Sequence, residues 1–168
     1  FSKGLFQTST WPRLNACVYK RVHTTVMSIY RCICNQQHFG SEAIDLGSIL
    51  SNNDLMFEHS LVFPFNLIRL NRLMLLCRII RKRPPGLLDL VIASSTFAGS
   101  WAATVFADLR WICIAPKFAH CVDFGFHDWI DYIATGIPWS SIPRAMRMFV
   151  NSSFANMSGL YETDPVIG

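Results

Sequence analysis

Residues 120–132 read HCVDFGFHDWIDY and place a histidine eleven residues before an Asp-Tyr pair, among aromatic and aliphatic neighbours. As a continuous helix, eleven residues rise about 16 Å, roughly half of a ~30 Å hydrocarbon core. A helix brings positions i, i+4, i+7 and i+11 onto one stripe. These positions hold His120, Phe124, His127 and Asp131. Because polar groups at membrane depth are costly, we expect this stripe to face protein, cofactor or water.

The composition of the 168-residue chain favours a membrane or deep-interface environment. Half of the residues (51%) are hydrophobic and only 15% are charged, whereas about a quarter of a typical soluble domain is charged. The formal charge of +4 is too modest to argue for nucleic acid. The sequence has no Gly-rich phosphate loop, hydrolase elbow or zinc-protease motif, so a self-contained enzyme is not expected.

Upstream, residues 87–107 read LLDLVIASSTFAGSWAATVFA and predict a membrane span. The run is long enough to cross a hydrocarbon core as a helix. Its many small residues favour close packing against other helices in a bundle. A buried core helix of a soluble protein is the alternative. A polar turn at residues 108–110 leads to a second predicted crossing over 112–133, and residues 145–161 give a marginal third helix.

Residues 61–83 combine dense aliphatic side chains with six basic ones and no acid. Arginines all around the helical wheel argue against a crossing, so we predict a basic interfacial helix whose long side chains reach anionic headgroups. A basic helix docked on an acidic protein surface is the alternative. Pro84, Pro85 and Gly86 end the helix.

The expected fold class is therefore all-α, with membrane-embedded helices. Its predicted segments are an N-terminal extramembrane arm (1–60), the basic interfacial helix and its break (61–86), a transmembrane helical anchor (87–161) and a tail (162–168). The arm has no acid before Glu42 and is rich in basic and hydroxyl side chains. This is typical of an organelle-targeting sequence, and a flexible basic tail is the alternative.

Basic residues also predict an orientation for the two firm crossings. Basic loops stay on the side from which a membrane protein inserts, so residues 78–83 put the start of the first crossing on a matrix-like side. Two crossings later, Asp131 and Tyr132 return to that side, next to Arg144 and Arg147.

The spacing of His120 and the pair Asp131-Tyr132 resembles the motif of the small cytochrome b membrane-anchor subunit of succinate dehydrogenase, respiratory complex II. In that family the histidine is an axial haem ligand, and the tyrosine hydrogen-bonds ubiquinone at the matrix end of the second helix. His127 also fits the pattern of the larger anchor subunit, but Tyr132 favours the small one. The resemblance covers only residues 87–135 and implies a highly diverged member.

The resemblance implies roles for four side chains. His120 is the expected ligand of haem b, and Tyr132 is the expected hydrogen-bond donor to a ubiquinone carbonyl. Asp131 is expected to orient that donor, and Trp129 is expected as a wall of the quinone pocket. The alternatives are a histidine bonded to another helix and aromatic side chains of an interfacial belt.

The function that the resemblance implies is a membrane anchor in the mitochondrial inner membrane, with no succinate chemistry of its own. Its expected cofactors are ubiquinone and haem b. Its expected partners are the flavoprotein and iron–sulfur subunits, the second anchor subunit and an anionic phospholipid such as cardiolipin, but not nucleic acid. The alternatives are a non-catalytic supernumerary subunit of another inner-membrane respiratory or ATP-synthase complex, and a soluble interaction protein with a helical core.

Overall fold

The computed structural model describes residues 8–12, 14–34, 50–135 and 141–151, and within these ranges the secondary structure is entirely helical. The predicted all-α class is confirmed. The described helices are a first 3-10 helix (Thr8–Thr10), α1 (Ala16–Ile33), α2 (Asn52–Glu58), α3 (Pro64–Lys82), α4 (Leu87–Ser94), α5 (Trp101–Ile112), a second 3-10 helix (Pro116–Cys121), α6 (Phe126–Thr135) and α7 (Ser141–Val150).

The chain divides into two compact units. The larger unit consists of Phe1–Leu14 and Leu67–Val150, and the smaller unit consists of Asn15–Asn66 and Asn151–Gly168. The boundary therefore falls inside α3.

The smaller unit has a hydrophobic core of its own. The Asn15 side chain accepts the Val18 N–H at 2.9 Å and caps α1. One face of α1 packs on α2 and on the start of α3, and the buried residues are Val26, Met27, Tyr30, Leu55, Met56 and Phe63. The Tyr30 hydroxyl donates to the Val62 carbonyl at 2.9 Å. Within the predicted arm, residues 16–33 thus form an ordered amphipathic helix rather than a flexible tail.

In the larger unit, α3 supplies much of the buried surface. Residues 64–82 are helical, as the sequence predicts, but Leu73, Leu76 and Ile80 are almost completely buried. The aliphatic side chains of this part of the helix therefore form the core of the unit, and an interfacial position for the helix stays a prediction. The Asn71 amide donates to the Thr8 hydroxyl at 2.8 Å and joins the first 3-10 helix to α3.

An ion pair explains how a basic helix is buried. The Arg72 side chain, 1% exposed, donates from Nε and Nη2 to the two Asp108 carboxylate oxygens at 2.6 and 2.9 Å. Arg69 Nε lies 3.5 Å from the same carboxylate, and its guanidinium lies over the Trp111 ring at 4.5 Å. Asp108 is a buried residue of α5, so the predicted polar turn at residues 108–110 is wrong. Buried charges need such pairing.

The predicted crossing over residues 87–107 consists of two shorter helices, α4 and α5, separated by residues 95–100. The Ser95 hydroxyl donates to the backbone carbonyl three residues earlier at 2.7 Å, a bond that competes with helical pairing. Gly99 has a φ of 79°, outside the helical region. The Ser100 hydroxyl accepts a backbone N–H of α5 at 3.0 Å and caps that helix. Small and hydroxyl residues that were expected to pack against neighbouring helices thus form a turn between α4 and α5.

The predicted crossing over residues 112–133 is interrupted too. The second 3-10 helix starts at Pro116, and a turn at residues 122–125 separates it from α6. The Asp128 carboxylate accepts the Gly125 N–H at 2.8 Å, an arrangement that starts a new helix in the manner of a capping box.

Among the described residues, we find no helix that combines the length and the apolarity needed to cross a membrane. The marginal third helix, predicted over 145–161, begins earlier as α7 at Ser141 and is described as far as Val150. The rest of that prediction and the tail at 162–168 lie outside the described residues.

Candidate functional site

Three of the four predicted site residues meet in one aromatic cluster of the larger unit. Trp129 and Tyr132 lie on α6, where their i, i+3 spacing puts them on neighbouring positions of one face. His120 lies in the second 3-10 helix, and the turn at residues 122–125 allows these two elements to meet. We call the set His120, Phe124, Trp129 and Tyr132 the aromatic cluster.

Edge-to-face contacts hold the Tyr132 ring on three sides. Its centroid lies 5.5 Å from that of His120, 5.8 Å from that of Phe124 and 5.9 Å from that of Trp129. The rings of each pair are inclined by 72–83°, and aromatic pairs of this kind contribute about 0.5–1.5 kcal/mol each beyond area burial. The position of the phenol is therefore fixed by the packing around it.

The Tyr132 hydroxyl has the properties of a hydrogen-bond donor for a ligand. The side chain is half-buried, and burial raises the pKa of its phenol, with a further contribution from the Cys121 thiol. The phenol is thus neutral and retains its proton at physiological pH. It makes no hydrogen bond to another residue in the described part of the chain, so its proton is available to an external acceptor.

Asp131 does not join the cluster. It is exposed, and adjacent positions of a helix point about 100° apart, so its carboxylate leaves α6 in a different direction from Tyr132. Within the described residues its carboxylate makes no hydrogen bond to the phenol.

The predicted helical stripe from His120 to Asp131 is wrong, because the chain passes from a 3-10 helix through a turn into an α-helix. One continuous helix would separate the two residues by about 16 Å along its axis. Instead, the break at Gly125 brings His120 against Tyr132, the neighbour of Asp131.

Trp129 is the supporting residue of the cluster. Its side chain is completely buried, and its indole Nε1 has no hydrogen-bond partner among the described residues. Its ring contacts both Phe124 and Tyr132. A ligand can therefore reach the partly exposed Tyr132 but not the buried Trp129. Trp129 could form a wall of the quinone pocket only if its indole became exposed.

His120 is the one predicted haem ligand. Its imidazole is exposed, and its ring packs edgewise on Phe124 and Tyr132. One side of the imidazole is thus open. The residues of this chain do not enclose a haem, so the other walls of a haem site would have to come from another subunit. No group of three or more His, Cys, Asp or Glu residues is placed to hold a metal ion in the described ranges.

A second candidate site lies between α3 and α7. Here a cavity of about 590 Å³ is lined by four arginines, two from each helix, and by less polar side chains. We call it the basic cleft, and its lining residues are Met74, Cys77, Arg78, Arg81, Pro143, Arg144 and Arg147.

In the sequence, these basic residues indicate topology and lipid contact. A stronger signal was present, since positions 74, 77, 78 and 81 follow the i, i+3, i+4, i+7 spacing of a single helical face. The contribution of α7 requires the tertiary structure, because more than 60 residues separate Arg81 from Arg144.

Comparison with protein-family models, with curated proteins and with solved structures finds no match to this chain.

Proposed function

We propose that this chain is a non-catalytic anchor subunit of mitochondrial succinate dehydrogenase and that its aromatic cluster contributes to a ubiquinone site. The observation that carries the proposal is the contact of His120 with Tyr132 at 5.5 Å between ring centroids. Two residues selected by a family motif meet at one place, although the intervening chain is not the expected single helix. The partners in this proposal are the flavoprotein and iron–sulfur subunits and a second anchor subunit.

The helices in this proposal are embedded among other subunits and lipid of the inner membrane. The larger unit exposes several large apolar side chains that could contact lipid or another subunit, and they include Leu90, Phe97, Ile114, Val122 and Met148. An anionic phospholipid such as cardiolipin is a further partner, because basic side chains attract it.

The chemistry assigned to the cluster is recognition of a quinone carbonyl. The Tyr132 phenol donates its proton in a hydrogen bond to that oxygen, and its raised pKa keeps the proton in place. His120 and Trp129 hold the phenol ring in position. Asp131 has no part in this hydrogen bond, because it is exposed and its carboxylate leaves α6 in a different direction from the phenol.

Haem b remains a prediction for His120, with the macrocycle held largely by the second anchor subunit. When bound, haem would supply one-electron chemistry. The proposed hydrogen bond from the Tyr132 phenol to quinone does not require a bound haem.

The variant Tyr132→Phe tests the proposal in the purified complex. It keeps the ring packing and deletes the hydroxyl, and one neutral hydrogen bond contributes about 0.5–1.5 kcal/mol. Quinone reductase activity is therefore expected to fall roughly two- to tenfold, while succinate oxidation with a soluble artificial acceptor is unchanged.

The variant Tyr30→Phe is the matched control. It also deletes one phenolic hydroxyl, but that hydroxyl bonds the Val62 carbonyl within the smaller unit. We expect it to leave quinone kinetics unchanged. An assembled Tyr132→Phe complex with normal quinone kinetics would contradict the proposed contact.

A second candidate function is that of a supernumerary, non-catalytic subunit of another respiratory or ATP-synthase complex of the inner membrane. The short helices favour it, since no described helix has the length and apolarity of a membrane crossing. Such a subunit needs only helical surfaces that bind its neighbours. The protein subunits that co-purify with the chain discriminate between the two functions.

A further inference from the structure

Helix α4 is apolar on both of its sides. Its inner side carries Leu88, Val91 and Ile92, which are buried or half-buried where the helix packs on α5. Within the helix, only Asp89 and Ser94 are polar. A helix that is apolar all round normally lies in a protein core or in a membrane. The outer side of α4 therefore has the character of a covered surface, although the described residues leave it exposed.

The outer side of α4 forms one apolar stripe. Leu87, Leu90 and Ala93 follow one another at intervals of three residues, which puts them on neighbouring positions of one face. The stripe continues to Phe97, because the Phe97 N–H donates to the Ser94 carbonyl at 3.1 Å and the chain keeps turning after α4 ends. All four side chains are exposed, Leu90 by 64% and Phe97 by 66%. We call Leu87, Leu90, Ala93 and Phe97 the outer stripe.

Basic side chains lie at the start of the outer stripe. Lys82 is the last residue of α3 and Arg83 follows it, and both are exposed. Neither forms an ion pair with another residue in the described part of the chain. The link to α4 is short and contains two prolines, which restrict its backbone. The Leu87 N–H also donates to the Pro84 carbonyl at 3.2 Å, so the basic side chains are held near the first residue of the stripe.

The single acid of α4 lies beside the outer stripe. Asp89 is in the first turn of the helix, where the helix dipole favours a carboxylate. It precedes Leu90 by one position and therefore points about 100° away from it around the helix axis. The stripe is thus apolar along its length, with basic groups at one end and one carboxylate at its margin.

We propose that the outer stripe lies in the interface of a membrane that contains anionic phospholipid, with Lys82 and Arg83 at the level of the phosphates. Helices of this kind bury their apolar face about 5–10 Å into the boundary between headgroups and acyl chains, and basic side chains beside them attract anionic lipid. Because the stripe runs along one side of α4, the helix axis lies parallel to the membrane surface. The inference rests on the membrane location in the proposed function, but not on the aromatic cluster or on the identity of the complex.

The size of the outer stripe favours a bilayer over a protein partner. Each partner of a specific protein interface usually contributes about 800 Å². A fully exposed phenylalanine offers about 150–250 Å², and the three other side chains of the stripe are smaller and only partly exposed. The stripe alone therefore does not reach the area of such an interface. A lipid surface needs no matched shape, and binding to it scales with the apolar area and the charge attraction.

Vesicle flotation with the full chain tests the proposal. The protein is mixed with phosphatidylcholine vesicles, with or without phosphatidylglycerol, at low and at moderate salt. We expect stronger binding with phosphatidylglycerol, and we expect salt to reduce this difference because it screens Lys82 and Arg83. Leu90→Gln and Phe97→Gln should each lower the partition coefficient roughly tenfold at either salt concentration, because an exposed apolar side chain no longer enters the lipid.

The matched control is Ile33→Gln, which changes a side chain of the smaller unit that is 63% exposed. It removes a similar apolar surface outside the outer stripe, so we expect no change in partition. Lys82→Gln should lower binding only to the vesicles that contain phosphatidylglycerol, and Asp89→Asn should raise it. All of these residues are exposed, and circular dichroism shows whether each variant is folded.

Flotation that both stripe variants weaken and the control does not supports the proposal. The proposal is overturned if the unaltered chain does not float, if the stripe variants float normally, or if Ile33→Gln weakens binding as much as they do. Self-association of the lipid-free protein that Leu90→Gln abolishes, in the absence of flotation, would assign the stripe to a protein interface and also overturn it. The proposed function is tested separately, because flotation of the isolated chain does not depend on which subunits co-purify with it.

Discussion

The variant Asp108→Asn is expected to destabilise the larger unit by about 3–5 kcal/mol, the usual cost of breaking a buried ion pair. Arg72 is 1% exposed and directs two nitrogens at the Asp108 carboxylate, at 2.6 and 2.9 Å. Arg69 lies 3.5 Å from one of the same oxygens. Asparagine offers one acceptor oxygen and no charge, so both guanidinium groups lose this countercharge while they stay buried.

Urea unfolding followed by tryptophan fluorescence measures this effect selectively. The four tryptophans in the described ranges, Trp11, Trp101, Trp111 and Trp129, belong to the larger unit, so the signal reports mainly its unfolding. The unfolding midpoint should fall with little change in the dependence on urea concentration. The control Asp123→Asn changes an exposed carboxylate of a turn, and its effect should stay within about 0.5 kcal/mol.

A double variant separates loss of charge from loss of packing. Arg72→Met combined with Asp108→Leu replaces the pair by apolar side chains, and such replacements are often neutral or stabilising. We expect the double variant to be more stable than the sum of the two single effects predicts.

A cost below about 1 kcal/mol for Asp108→Asn would refute the ion pair as the reason for burying a basic helix.

The remaining predictions concern a cap, a ligand and a pH dependence. Ser100→Ala removes the α5 cap and should lower the free energy of unfolding by about 0.5–2 kcal/mol in the same urea assay, and no change would argue against the break between α4 and α5. His120→Ala should weaken a b-type haem band in reduced-minus-oxidised spectra of the purified complex, and an intact band would remove the ligand role. Burial raises the pKa of Cys77 from 9.0 and that of Tyr30 from 10.0, each to about 12. Because the unfolded groups lose their protons first, stability should fall as pH rises from about 9 to about 12, and constant stability there would contradict the burial of both groups.

Helix α3 illustrates what the sequence predicts well. The aliphatic run over 61–83 and the breakers Pro84, Pro85 and Gly86 are local signals, and the observed helix, Pro64–Lys82, closely follows them. The burial of this helix within the chain was not predicted. Its burial depends on Asp108, which lies 36 residues after Arg72, and the sequence does not reveal that pairing.

The run over residues 87–107 shows why average apolarity misleads. Length and composition match a membrane span. However, a hydrogen bond of the Ser95 hydroxyl and the positive φ of Gly99 accompany the end of α4, and the Ser100 cap starts α5. These residue types are readable as turn formers. In a continuous apolar helix the same residue types would instead favour close packing, so the two readings of this run compete.

The aromatic cluster contains three residues that the sequence indicates as candidates, in a geometry that the sequence did not predict. The spacing selected His120 and Tyr132 as members of one helix, whereas the structure brings them together through the break at Gly125. The same break explains why Asp131 is separated from the cluster. The basic cleft was not predicted, because its two arginine pairs become neighbours only when α7 packs near α3.

Identification of the subunits that accompany the chain tests the proposed function most directly. The chain is tagged, the native assembly is purified in mild detergent, and its subunits are identified by mass spectrometry. We predict that the flavoprotein and iron–sulfur subunits of succinate dehydrogenase co-purify, together with succinate:quinone reductase activity. Proton-pumping or ATP-synthase subunits in their place would contradict the anchor function and favour the supernumerary subunit.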